Sequence, residues 1–160
     1  MSSLLKMGSP VGELLKQRGQ TVAVSESAAG GLVSAALLSV PGASGYYLGG
    51  ASVYTQTARR GLLRFSDAEA QQRGSTEEYA TLVAATMRDL LGADWTIGES
   101  GAAGPSGNRY GDPAGYVALA VVGPVTATRI VQTGSDGREE NMWAFAQAAL
   151  DLLYETVKAN

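Results

Sequence analysis

The spacing of apolar and polar residues changes period several times along the chain, and each change predicts an element. Between 3 and 18, Leu4, Leu5, Val11, Leu14 and Leu15 recur at helical spacing, with Gly8 and Pro10 predicting a break or a start inside that span. Residues 21–26, TVAVSE, alternate and are β-branched, which predicts a strand. Residues 29–39 predict a helix that opens at the pair Gly30-Gly31, and VPGAS at 40–44 predicts a turn. GGASVYT at 49–55 reads as a second strand and TARRGLL at 57–63 as a short helix capped by Thr57. A longer helix follows at 75–91, with Ser75 or Thr76 as its cap and Glu77 and Glu78 where the helix dipole favours acids. DWTIGES at 94–100 is a third strand. Residues 101–115 form a long loop rich in glycine and proline, of a length that is usually functional. Strands at 116–122 and 125–133 flank a Gly123-Pro124 hairpin, and a last helix over 138–157 lines up Met142, Phe145, Ala146, Ala149, Leu150 and Leu153.

Helices and strands in this order, with one hairpin near the end, predict a three-layer α/β/α sandwich on a mixed sheet, as a single domain over 1–160. There is no internal repeat. Composition narrows the chemistry. The 160 residues contain neither cysteine nor histidine, so a thiol nucleophile, a disulfide framework and a Ser-His-Asp triad are excluded. A metal site would need carboxylates alone, so no metal and no cofactor are expected. The net charge of −3 argues against nucleic acid as a partner. No apolar run approaches the roughly 20 residues that span a bilayer, and the first ten residues are too short and polar for a secretory signal. The expectation is therefore a cytoplasmic protein with a small-molecule substrate and no membrane partner.

Four stretches carry candidate chemistry. Glu26-Ser27-Ala28-Ala29-Gly30-Gly31 joins a strand to a helix, where unpaired N–H groups and glycines suit a phosphate, a carboxylate or an oxyanion. The plainer reading is that Ser27 is an N-cap and the glycines serve packing. Ser44, in Pro41-Gly42-Ala43-Ser44, follows a turn and on local pattern is a turn serine. Tyr54 and Arg59 lie ten and fifteen residues further on, and a tyrosine and a cation near one serine suit acyl transfer. Arg59-Arg60 alone reads as a solvated basic helix face. Glu99-Ser100-Gly101-Ala102-Ala103-Gly104 follows a strand as the first stretch does. Two Glu-Ser turns at strand ends lie side by side if their strands neighbour each other, at the sheet edge where open α/β folds bind ligands.

Taken together, TVAVSESAAGG, VPGASGYYLGGASVYT, GESGAAGPSG and PAGYVALAV resemble, in order and spacing, the CinA C-terminal domain family. Its studied members include nicotinamide mononucleotide deamidases. The resemblance covers nearly the whole chain. It implies hydrolysis of an amide to a carboxylate and ammonia, with Ser44 as nucleophile, Tyr54 beside it and Arg59 where the family has a lysine. The two Glu-Ser turns are read as substrate contacts, from Glu26, Ser27, Gly30, Gly31, Glu99, Ser100, Gly101 and Gly104, with the alternative that Glu26 and Glu99 orient the two turns by accepting backbone hydrogen bonds. The resemblance also implies assembly into a homo-oligomer. Tyr46, Tyr47 and Trp143 are candidates for that interface, or for the core. The further N-terminal domain of longer family members is expected to be absent.

The departures are informative. A lysine can lose its proton when desolvated, whereas a guanidinium stays protonated, so the family's serine-lysine relay cannot run through Arg59. ESCTGG becomes ESAAGG here. The lysine and threonine of KPVGTV become Asp112 and Tyr116, and a GDR-like segment becomes Gly134-Ser135-Asp136 unless Arg138 takes its place. Arg109 in the long loop offers a compensating cation. Three functions follow. The first is an amidohydrolase-like enzyme, with Tyr54, Glu26 or Glu99 as base and Arg59 easing loss of the phenol proton. The second is an isomerase or lyase working through Tyr54 and a carboxylate. The third is a non-catalytic module that binds a nucleotide or another small molecule.

Overall fold

The computed structural model describes residues 3–160. In chain order the elements are α1 (Leu4–Arg18), β1 (Val22–Glu26), α2 (Leu32–Leu38), a 3-10 turn (Ala43–Gly45), β2 (Tyr47–Ser52), α3 (Gln56–Leu63), α4 (Asp67–Ala70), α5 (Glu77–Leu91), β3 (Trp95–Ala102), β4 (Tyr116–Val122), β5 (Thr126–Gln132) and α6 (Arg138–Ala159). The strands form one sheet in the order β2-β1-β3-β4-β5. β1 runs parallel to β2 and β3, while β3–β4 and β4–β5 are antiparallel. This is the mixed sheet that the sequence predicts.

Alternation along the strands separates two cores. Val22, Val24, Trp95, Ile97, Val117, Leu119 and Val121 pack under α1, α2 and α6, with Leu15, Leu37, Phe145 and Leu153 among their neighbours. On the other face Ala23 packs with Val53, Leu63, Phe65, Tyr79, Val83 and Met87 beneath α3 to α5.

Several boundaries differ from expectation. α1 runs unbroken through Gly8 and Pro10, and Ser3 caps it by accepting from the Lys6 N–H at 3.4 Å. Gly8 is there for contact between helices: a Cβ would stand 2.1 Å from the Ala36 carbonyl oxygen. α2 starts at Leu32 because Gly31, at φ 101, is in a left-handed turn, not in the helix. β2 ends at Ser52, so Tyr54 lies in the connection after it, and Thr55, not Thr57, caps α3. α4 has no counterpart in the sequence pattern. Tyr46 is fully buried and donates its hydroxyl to the Leu37 carbonyl, so it belongs to the core and is closed to any interface. Among the described residues no helix is long and apolar enough to cross a membrane.

Candidate functional site

The parallel strands β1 and β3 are neighbours and end at the same edge of the sheet, which brings their two Glu-Ser dipeptides together, Glu99-Ser100 lying within β3 and not in a turn after it. A cleft of about 480 Å³ opens there. The turn after β1 contributes Ser27, the end of β3 contributes Ser100 and Gly101, and the chain entering α3 contributes Tyr54, Thr55, Gln56 and Arg59. Gly74 and Ser75, ahead of α5, and Asn108, Arg109 and Tyr110 from the long loop complete the wall.

The two glutamates are not part of that wall. Glu26 is buried, and its carboxylate accepts from the N–H groups of Gly31, Val33 and Ser34 at 2.8, 3.2 and 3.0 Å and from the Ser34 hydroxyl at 2.9 Å. The N–H groups expected to meet a ligand near Gly30 and Gly31 are thus turned towards Glu26, and neither glycine lines the cleft. Glu99 is 1% exposed, and its Oε2 accepts from the N–H groups of Ser27 and Ala29 at 2.8 and 2.9 Å. Its Oε1 is buried without a partner. Burial pushes the Glu99 carboxyl up to about 7, with the neighbouring Glu26 adding to the rise against the lowering effect of the backbone bonds.

The serines are equally unalike. Ser100 is buried, and its Oγ accepts from the Ser75 N–H at 2.9 Å. Ser75 holds a left-handed backbone at φ 56, which is strained for a residue with a side chain and sits directly on the cleft. Ser44 is exposed in the 3-10 turn before β2. Tyr47 pairs with Val22 at the start of β1, whereas the cleft lies beyond Glu26 at its end. The five residues of β1 place about 16 Å between those edges. Within this chain the fold therefore does not bring Ser44 together with Tyr54 and Arg59.

Arg59 lines the cleft but works as a strut. Its Nη1 donates to the Ala70 and Gln72 carbonyls, each at 2.8 Å, and its guanidinium stacks 4.3 Å from the centre of the Tyr79 ring. Tyr54 is 61% exposed and accepts from Arg138 Nη2 at 3.3 Å, while Arg138 Nη1 donates to the Gly104 carbonyl at 2.6 Å. Arg138 thus reaches the cleft mouth from the start of α6. Gly104 lies behind the wall against Asp136, where a Cβ would come within 2.6 Å of the Asp136 carbonyl oxygen.

Sequence reasoning missed Tyr110. Burial pushes its phenol up, but the hydrogen bond from Arg109 at 3.0 Å, the Arg109 and Arg59 cations and the Gly74 backbone together bring it below the ordinary tyrosine value. Asn108 and Asp112 shape this loop. Asn108 Oδ1 accepts from the N–H groups of Tyr110 and Asp112, and Asp112 takes two bonds from Arg73 Nη2 at 2.8 and 2.7 Å. The available signal was the Asn108-to-Asp112 spacing, an Asx-turn pattern immediately around Tyr110.

The family model for the CinA C-terminal domain matches residues 5–157. The chain belongs to that family. A CinA-like protein of Prochlorococcus marinus is 44% identical over 119 residues, covering 74% of this chain and 28% of the relative. A putative competence-damage inducible protein of Moorella thermoacetica is 35% identical over 154 residues, covering 94% of this chain and 37% of the relative. This chain therefore spans well under half the length of these curated relatives. Among solved structures, a CinA superfamily protein from Klebsiella pneumoniae superposes with a TM-score of 0.90 at 25% identity, covering 99% of this chain and all of that one. A competence damage-inducible protein A from the same species gives 0.89 at 26%, with 98% of each chain covered.

Proposed function

We propose that the cleft hydrolyses a small amide, the reaction of the nicotinamide mononucleotide deamidases in this CinA family, with Ser27 as the reacting hydroxyl. One observation carries this reading. Six side-chain hydroxyls line the cleft: Ser27, Tyr54, Thr55, Ser75, Ser100 and Tyr110. Five accept a hydrogen bond, from Arg138, Ala58, Asn108, Ser75 and Arg109 respectively for the last five. Ser27 Oγ, half-buried, has no partner among the described residues and is free to meet a ligand.

In this reading Ser27 Oγ adds to the amide carbon and Tyr110, whose phenol Arg109 holds below its ordinary value, acts as the base once ionised, taking the serine proton and returning it to the departing nitrogen. Arg109 supplies positive charge for the oxyanion. Water then cleaves the acyl-serine, releasing the carboxylate. Arg59 keeps the wall in place and relays no proton. Ser44 has no part. A second reading, binding without turnover, draws support from Arg59 itself, whose Nη1 is committed to two backbone carbonyls where the family has a lysine.

The test is ammonia release from nicotinamide mononucleotide, with Ser27→Ala and Ser44→Ala run in parallel. Turnover that is lost in Ser27→Ala and kept in Ser44→Ala is the expected result. Saturable binding with no ammonia selects the binding module. Ammonia that survives Ser27→Ala removes Ser27 from the chemistry.

A further inference from the structure

Glu99 has no role in the chemistry just described, yet it is a carboxyl buried directly beneath the reacting turn. It sits two residues after Ile97 on the face of β3 that packs under α2 and α6. Its Oε2 holds the N–H groups of Ser27 and Ala29, while its Oε1 meets no donor. Among the described residues no cation bonds to it, and the Arg59 guanidinium is stacked on Tyr79. Leu119 pairs opposite it on β4, and α6 brings Met142 and Phe145 to this core. The charges at the start of α6, Arg138, Glu139 and Glu140, are exposed. The titratable groups whose fields couple to it are Glu26 on β1 and Tyr79 on α5.

We propose that Glu99 is a positioning residue for Ser27, holding the Ser27–Ala29 turn closed as a neutral carboxylic acid and releasing it when the carboxyl ionises. The proposal rests on the reading of Ser27 as the reacting hydroxyl. The physical reason is the unmatched oxygen. A proton on Oε1 leaves Oε2 to accept both backbone bonds, and the acid is neutral beside Glu26. Ionisation spreads negative charge over both oxygens: Oε2 keeps its two donors, Oε1 has none, and the buried Glu26 carboxylate lies close by. The closed turn is therefore destabilised when Glu99 ionises, and opening to admit water to Oε1 becomes favoured.

The experiment is an amide NMR titration of the whole chain from pH 5.5 to 8.5, in wild type and Glu99→Gln. The Ser27 and Ala29 amide signals are expected to move together with one midpoint near 7. The Gly92 amide, which donates to the Arg88 carbonyl at the far end of α5, serves as the control and stays flat. In Glu99→Gln the Ser27 and Ala29 movement disappears. Flat Ser27 and Ala29 signals in wild type overturn the proposal, and so does movement that survives in Glu99→Gln. Wild type alone suffices if the variant does not fold. Ammonia release, followed over the same pH range, should lose an alkaline decline in Glu99→Gln; a decline unaltered by the substitution also overturns the positioning role. Titrating amides with no ammonia at any pH sink the amide-hydrolysis reading and leave the proton-controlled turn standing.

Discussion

The two Glu-Ser dipeptides lie side by side on adjacent parallel strands, one at the end of β1 and one within β3, and are used in opposite ways. At the first, Glu26 has both oxygens occupied by four donors from Gly31 and the first turn of α2, and the Ser27 hydroxyl is left without a bond in the cleft. At the second, Glu99 reaches across to the first turn and leaves one oxygen unmatched, while Ser100 is buried and bonded to Ser75. What separates them is the chain that follows. After Glu26 the backbone turns at once into α2 and presents its N–H groups to the carboxylate. After Glu99 strand β3 continues to Ala102, so no helix end is available and the carboxyl finds donors on its neighbour. A shared motif thus sets which groups are present but not which of them face a ligand.

The hardest blow to this contrast is Glu26→Ala. It leaves several N–H groups at the start of α2 without an acceptor, and a stability loss of roughly 3–5 kcal/mol is expected in urea unfolding. A loss no larger than that of Glu99→Ala would break the distinction between a saturated carboxylate and a half-satisfied one.

Next in size is the pH dependence of Glu99. Its folded-state value, about 7, lies above the ordinary 4.5, so between those pH values the folded protein holds a proton that the unfolded chain has released. Stability from this group is therefore complete below about 4.5 and is lost as pH rises to 7, by about 3 kcal/mol in all. Unfolding curves at pH 4.5 and 7.5 should show wild type falling relative to Glu99→Gln by that order. Parallel curves would mean that Glu99 ionises as it does in the open chain.

Ser100→Ala removes the acceptor for the buried Ser75 N–H and should cost about 1–2 kcal/mol, read as a lowered melting temperature. Ser27→Ala, which breaks no bond within the chain, should stay within about 0.5 kcal/mol of wild type while abolishing ammonia release. Equal losses from the two serines would show that Ser27 is as structural as Ser100.

Much of the architecture was legible because period and punctuation are local. The alternation in TVAVSE, the acids after Thr76 and the apolar face of α6 each report on their own segment, and together they predict the mixed sheet correctly. Misplaced details are non-local. Gly8 and Pro10 look like breakers until α2 is seen crossing at Gly8 with backbone contact, and Tyr54 looks like a strand residue until β2 is seen to stop at Ser52. Ser44 is the clearest case. Fifteen residues from Arg59 in sequence, it lies at the opposite edge of the sheet, since a strand carries the chain from one edge to the other.

By itself, then, the sequence determined the layer order, the family and the absence of thiol and imidazole chemistry, because these follow from residue types and short-range spacing. Tertiary structure alone decided which carboxylate is sated, which serine is free, that Tyr110 joins the cleft while Ser44 does not, and that Arg138 bonds to Tyr54 in its wall. Those outcomes depend on which donors meet which acceptors across segments as much as 84 residues apart, as Arg138 and Tyr54 are. No local pattern encodes such meetings; the packing of the sheet and its loops does.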